Sequence, residues 1–174
     1  NGLLDEYRIS NIARTPEEIK LDAGRRPYGV YTSDVQNLGK DVSSINNLRW
    51  TENGVQTGDG ETPYSTNGLV AQWNFNETSG TIAANASTAS CGSTCNGTLT
   101  TFASTTSQDQ AAGTGWTANN KRWGSGALMF DGSNDYVSVA DGGSLNLTSG
   151  VTYELWARPN TTGSAYVMSK IPAA

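Results

Sequence analysis

The amino-acid sequence predicts an all-β protein. Glycine, serine, threonine and asparagine make up 75 of the 174 residues, and this composition is typical of strands joined by many turns. Only 16% of the residues are charged, which is too few for a charge-rich disordered chain. Apolar and polar residues alternate in several short segments, and this period places every second side chain on one face of a strand.

The first 22 residues predict a strand followed by a short helix. Apolar and charged residues largely alternate between Leu3 and Ile9, which indicates a strand. Thr15 is suited to the N-cap of a helix, with Pro16 at the first helical position and Glu18 completing a capping box.

Residues 23–66 predict a β-rich connector. Short β-like stretches lie between Tyr28 and Leu38 and between Ile45 and Thr51, and Asn53-Gly54 is a strong turn signal. These strands are too few to build a core of their own.

Residues 67–174 predict one strand after another. The strand-like segments are Leu69–Phe75, Thr98–Phe102, Ala127–Phe130, Tyr136–Val139, Val151–Trp156 and a last one that begins at Tyr166–Ser169. The segment Asp131–Asp135 has the composition of a turn between two of them.

The composition also excludes several classes of function. The chain has no histidine, so it lacks Ser-His-Asp and Cys-His catalytic groups and every zinc site that uses imidazole. Its net charge is −5 and its basic residues form no long run, which argues against binding to duplex nucleic acid. No apolar segment reaches the length of a membrane span, so we expect no membrane insertion.

Cys91 and Cys95 lie in a loop rich in serine, threonine and glycine. Two thiols are too few for a metal site, and the CxxC spacing of redox proteins is absent. The alternatives are a local disulfide and a pair of free thiols, and we favour the disulfide because Gly92 and Ser93 can form the turn that it needs. A disulfide would indicate an oxidising compartment.

Three segments resemble the laminin G-like, concanavalin A-like jelly rolls that are common in large bacterial surface proteins. Gly68–Gly80 resembles the opening strand and loop of that family, Gly126–Val137 its signature hairpin, and Val151–Pro159 the next core strand. Together they cover residues 67–171 in the order of the family. The opposite end of the same fold, namely its closing strand and short helix, is resembled by Gly2–Asn11, Ala13-Arg14 and Pro16–Ile19.

The resemblance implies a jelly-roll sandwich that is incomplete within this chain. Residues 1–22 would be the C-terminal strand and helix of a preceding copy, 23–66 a connector, and 67–174 the N-terminal part of the next copy. The middle strands are missing from both copies, and a half sandwich exposes an apolar sheet face and an unpaired edge. We therefore expect a piece of a longer protein, or a second copy that supplies the missing strands.

Calcium is the one cofactor that we expect. Asp131, Asn134 and Asp135 lie in a single oxygen-rich turn, and Ca²⁺ takes six to eight oxygen ligands. Hydrogen bonds to the turn's own backbone would explain the same residues. The resemblance adds Glu77 and Asp5, because related jelly rolls carry structural calcium near the meeting point of their first and last strands.

The aromatic residues and the acids lead to different expectations. Trp116 and Tyr136 are candidates for stacking on a sugar, with a structural role as the alternative. Glu154 is the only acid in a strand in the middle of the chain, whereas glycoside hydrolysis needs a pair of carboxylates. We expect no catalytic residues.

These observations favour a non-catalytic structural module of an extracellular surface protein or filament, such as an adhesin or stalk. Its partners would be flanking domains or other copies of itself, with strands shared between copies as the sharper version. The alternative is a carbohydrate-binding module, with glycans as partners.

Overall fold

The computed structural model describes residues 2–24, 32–39, 44–45, 47, 49, 60–63, 65–88, 91–108, 113–162 and 166–170. The elements in chain order are β1 (Gly2–Ser10), α1 (Pro16–Ala23), β2 (Leu69–Trp73), β3 (Ile82–Ala83), β4 (Gly97–Thr100), β5 (Gly115–Thr117), β6 (Ala127–Phe130), β7 (Tyr136–Val139) and β8 (Thr152–Pro159). Short 3₁₀ turns lie at Gly92–Cys95 and Gly143–Leu145. The all-β prediction is confirmed, since these strands form antiparallel sheets and α1 is the only α-helix in the described part of the chain.

The first sheet has five strands and is organised around β1. β8 pairs with one edge of β1 along nearly its whole length, from Gly2 opposite Pro159 to Ser10 opposite Thr152. The other edge is divided, because β6 pairs with residues 2–4 and β2 with residues 7–10. β5 extends the sheet beyond β6.

The second sheet contains β3, β4 and β7, in that order. Its apolar residues Ala83 and Leu99 belong to the same buried cluster as Tyr7, Trp73 and Leu128 of the first sheet. The two sheets therefore pack face to face in a sandwich-like arrangement, since one face of each contributes to a common core.

The expected hairpin of β6 and β7 does not form. β6 belongs to the first sheet, where it pairs with β1 and β5, whereas β7 pairs with β4 in the second sheet. The turn Asp131–Asp135 therefore carries the chain from one sheet to the other. Turn composition indicates a change of direction, but the sheet that the chain joins next depends on which edge is available.

The prediction for the first helix is confirmed in detail. The Thr15 hydroxyl accepts a hydrogen bond from the Glu18 backbone N–H at 3.2 Å, and the Glu18 carboxylate accepts one from the Thr15 N–H at 2.8 Å. Pro16 is the first helical residue, where its missing N–H costs no hydrogen bond. Because every partner lies within four residues, the local sequence alone specifies this turn.

Two other strand predictions have different outcomes. The connector strands lie largely outside the described residues, and the described segment 32–39 contains neither helix nor strand. The strand expected at Tyr166–Ser169 does not form, and the Tyr166 side chain is 96% exposed. In the described part of the chain this segment pairs with no strand, and an isolated strand is not stable in water.

None of the helices in the described ranges is long and apolar enough to cross a membrane.

Candidate functional site

The candidate functional site is the groove that receives β1, which we call the closing-strand groove. It is formed by β8 on one side and by β2 and β6 on the other. The chain just after β1 is held as well, because the Asn11 N–H donates to the Gly68 carbonyl at 2.8 Å. Thr152 on β8 donates its hydroxyl to the Ile12 carbonyl at 2.8 Å and accepts the Arg14 N–H at 2.9 Å. The N-terminal segment is thus anchored by much later parts of the chain.

The partner of β1 changes at Asp5 and Glu6. Glu6 has a left-handed backbone with φ 52°, and the register with β8 is irregular between Asp5 and Arg8. The Asp5 carboxylate accepts hydrogen bonds from the backbone N–H groups of Arg122 at 2.6 Å and Trp123 at 3.2 Å. The bulge therefore aims a carboxylate at the loop before β6 and fixes that loop to β1.

Charged and polar side chains line the face of the first sheet that points away from the core. Arg8 alternates with the core residues Tyr7 and Ile9, so its side chain points to this outer face. It donates to the Gly60 carbonyl and lies 3.4 Å from the Glu6 carboxylate, which is 1% exposed. Gly60 thus lies against the outer face of the sheet, where the Arg8 and Glu6 side chains are both buried.

Arg14 ties the end of β1 to the segment before β2. Its guanidinium donates to the carbonyls of Ser65 at 2.8 Å and Asn67 at 3.3 Å, and lies 3.9 Å from the Glu154 carboxylate on β8. Burial and the nearby Asp22 raise the pKa of Glu154, and Arg14 opposes that rise. The sequence analysis included Arg14 in the closing segment but assigned it no role, because its partners are backbone carbonyls about 50 residues later in the chain.

Burial raises the pKa of the Asp5 carboxyl from 3.8 to about 6, and the nearby Glu61 adds to the rise. Backbone N–H groups of Arg122, Trp123 and Glu6 act in the opposite direction. The folded protein therefore holds the Asp5 proton more tightly than the unfolded chain. The stability that this produces is complete below the unfolded pKa of 3.8 and is lost as the pH rises through about 6.

Asp5→Asn is accordingly expected to stabilise the protein at neutral pH. Asparagine keeps an oxygen that accepts the two loop N–H groups, and it removes the buried charge. In thermal unfolding with a chelator present, the variant should melt a few degrees above the wild type at about pH 7.5, and the gap should close at about pH 4.5. Asp34→Asn, an exposed acid, is the control and should follow the wild type throughout. A lower melting temperature for Asp5→Asn at neutral pH would contradict this account.

The five calcium candidates lie in three different hydrogen-bonding environments. Asp5 binds the loop before β6, Glu77 accepts the Ala84 N–H at 2.6 Å, and Asp135 accepts the Asp131 N–H at 2.9 Å. The turn does bring Asp131 and Asp135 together, as expected, and Asp131 accepts the Ser133 N–H. The Asn134 carbonyl accepts the Thr101 hydroxyl.

The fit of these residues to calcium is partial. Asp5, Glu77 and Asp135 each keep one buried carboxylate oxygen without a hydrogen-bond partner. Among the described residues, however, no three acids, cysteines or histidines form a group that could hold a metal ion. Calcium binding stays a prediction, and repeating the melting series with calcium in place of chelator tests it. A calcium-dependent rise in the wild type that Asp5→Asn lacks would assign the ion to Asp5.

The predicted disulfide between Cys91 and Cys95 is confirmed, with a Cα–Cα distance of 5.5 Å. Both residues belong to the buried core cluster. The Trp73 indole N–H donates to the Cys95 carbonyl at 2.9 Å. The disulfide thus holds a 3₁₀ turn against β2, and it lies in the core rather than on the surface.

The two candidates for sugar stacking have opposite environments. Trp116 is 2% exposed, and its indole N–H donates to the Gly80 carbonyl at 2.7 Å. Its ring has no exposed face, so the stacking role does not fit and the structural alternative does. Tyr136 is 52% exposed at the start of β7, so a ligand role for it stays a prediction.

Two residues with structural or surface roles, Asn76 and Arg122, were missed by the sequence analysis. The Asn76 side-chain oxygen accepts the backbone N–H groups of Ser125 at 2.7 Å and Gly126 at 3.0 Å, which connects the end of β2 to the start of β6. Arg122 places its guanidinium over the rings of Trp123 and Trp156. The only sequence feature that could have indicated this stacking is the run Lys121-Arg122-Trp123, because the second ring, Trp156, lies on β8.

Comparisons of the chain with models of protein families, with curated proteins and with solved structures found no match.

Proposed function

We propose that this chain is a non-catalytic structural module of an extracellular surface protein or filament, built from laminin G-like jelly rolls that share strands. The observation that carries the proposal is the position of β1, which lies between β8 on one edge and β2 with β6 on the other. β1 resembles the closing strand of a laminin G-like copy, and here it lies within the sheet formed by the sequence that follows. The disulfide supports an oxidising, extracellular location.

The backbone pairing of β1 favours strand sharing, because both edges of the strand are bound through main-chain hydrogen bonds. β1 and β2 are separated by residues 11–68 of the chain, so the groove and its strand come from distant segments. A groove that binds its strand through main-chain hydrogen bonds can accept the same strand from another copy. Whether the groove takes β1 from its own chain or from another copy then depends on two quantities. These are the effective concentration of the tethered β1 and the concentration of other copies.

The outer edges of the sandwich support continuation by further strands. In the described part of the chain, β8 pairs only with β1, and β7 pairs only with β4, which leaves one edge of each available. The exposed fractions of Val151 and Tyr153, at and near the start of β8, are 39% and 45%. Exposed strand edges and apolar side chains are normally covered, so we propose that flanking sequence or another copy completes both sheets.

Disulfide trapping tests the exchange of β1. Leu4 on β1 lies directly opposite Ala157 on β8. A chain carrying Leu4→Cys is unfolded together with a chain carrying Ala157→Cys, and the mixture is refolded and oxidised. Strand sharing predicts a covalent dimer that links the two chains.

Thr98 and Ser138 provide the matched control. They lie directly opposite each other in β4 and β7, both are exposed, and both belong to the same sheet of the second segment. A mixture of Thr98→Cys and Ser138→Cys chains should give little mixed dimer. If the Leu4→Cys and Ala157→Cys mixture gives no more dimer than this control, β1 is not exchanged and the strand-sharing proposal is wrong.

A further inference from the structure

A shallow pocket of about 170 Å³ lies where β1, β8 and the loop before β6 meet. The strands contribute apolar side chains together with Asp5 and Arg158, and the loop contributes an amide and two cations. The lining residues are Leu3, Leu4, Asp5, Asn120, Lys121, Arg122, Trp156, Ala157 and Arg158.

Arg122 is held in place by two aromatic rings. Its guanidinium carbon lies 4.8 Å from the ring centre of Trp123 and 4.4 Å from that of Trp156. Stacking on indole rings orients a planar guanidinium without using its N–H groups. Within the described ranges, no protein acceptor is recorded for these N–H groups, so they remain available to a ligand.

Two further cations and an amide surround Arg122. Lys121 and Arg158 are exposed, and Arg158 donates to the side-chain oxygen of Asn120. Three cations therefore lie together on a chain whose net charge is −5. A cleft lined by charge of one sign concentrates ligands of the opposite sign.

Asp5 is the one acid among the lining residues. It is only 4% exposed, and one of its oxygens accepts two backbone N–H groups. Those N–H groups partly offset its charge, whereas the three cations reach the surface. The net charge at the pocket mouth is therefore positive, and this favours binding of an anion.

We propose that this pocket binds the acidic sugar unit of an anionic saccharide. The carboxylate or sulfate of the sugar accepts hydrogen bonds from Arg122, Arg158 and Lys121. The Trp156 side of the pocket packs against the apolar C–H groups of the ring, and the Asn120 amide is positioned for a hydroxyl group. The pocket holds about one sugar unit, which is too small a surface for a duplex nucleic acid. The site needs β1 in its groove, because Leu3, Leu4 and Asp5 form part of the pocket, but it does not require that β1 come from another copy.

Isothermal titration of the whole chain with three probes tests the proposal. The probes are a trimer of galacturonic acid, the neutral galactose trimer of the same length, and inorganic sulfate. We expect the acidic trimer to bind, the neutral trimer to bind at least about tenfold more weakly, and added salt to weaken binding of the acidic trimer.

Arg158→Ala removes one cation from the pocket, and Lys20→Ala removes one exposed cation from α1 as the matched control. Arg158→Ala should weaken binding of the acidic trimer about fivefold to tenfold, and Lys20→Ala should leave it unchanged. Arg122→Gln provides a second variant with the same expected loss.

Three results would overturn the proposal. Equal losses from Arg158→Ala and Lys20→Ala would mean attraction to overall charge rather than a site. Equal affinity for inorganic sulfate and for the acidic trimer would mean an anion site without sugar recognition. No binding of the acidic trimer would leave the pocket without the proposed ligand.

Discussion

Replacing Ile9 with proline is expected to detach β1 and to lower the free energy of unfolding by about 3–5 kcal/mol. Ile9 lies opposite Ala71 on one edge of β1 and opposite Tyr153 on the other. Proline removes the backbone N–H and is tolerated only at sheet edges, and β1 has partners on both of its edges. Thermal and urea unfolding followed by circular dichroism would measure the loss.

Val35→Pro is the control for this variant. Val35 is 98% exposed and lies in a described segment without helix or strand. Its replacement should change the free energy of unfolding by less than about 0.5 kcal/mol. If Ile9→Pro were as mild as Val35→Pro, β1 would not be an integral strand of the first sheet, and the closing-strand groove would lose its basis.

Trp116→Ala is expected to cost about 3–5 kcal/mol of stability, because it removes a large buried ring and leaves a cavity. The Trp116 ring is 2% exposed and belongs to the core cluster. The substitution also leaves the Gly80 carbonyl without its indole donor. Urea unfolding gives the change directly.

Tyr136→Ala is the matched aromatic control, since Tyr136 is 52% exposed. We expect a change of less than about 1 kcal/mol. Comparing the two variants distinguishes a tryptophan buried in the core from a tyrosine on the surface. The sequence alone had left a structural role and a ligand-binding role open for both residues. A loss of similar size in both variants would contradict the burial of Trp116.

The elements that were predicted well depend on neighbours in the chain. The capping box of α1 needs only Thr15, Pro16 and Glu18, and all three take the expected positions. The Cys91–Cys95 bridge closes a loop within five residues. Short-range hydrogen bonds and covalent bonds of this kind are specified by a few adjacent side chains.

The elements that were missed are short or depend on distant partners. β3 and β5 have two and three residues, too few for an alternating pattern to be visible. β6 and β7 were recognised as strands, but their assignment to different sheets was not. The pocket at Arg122 could not be found either, because its walls come from β1 and β8 at opposite ends of the chain.

The alternation in residues 3–9 was enough to make β1 a strand, and it places Tyr7 and Ile9 in the core cluster. Leu3 is buried outside that cluster and lines the pocket at Arg122, whereas Leu4 packs against the cluster, because the bulge at Asp5 and Glu6 interrupts the period of two. The place of β1 among β2, β6 and β8 was decided only by the tertiary structure. The reason is physical: main-chain hydrogen bonds are nearly the same for every sequence, so they hold strands together without identifying which strands pair. The choice of partner comes from the core that the two sheets bury together and from contacts such as those of Asp5 and Arg14, which unite residues far apart in the chain.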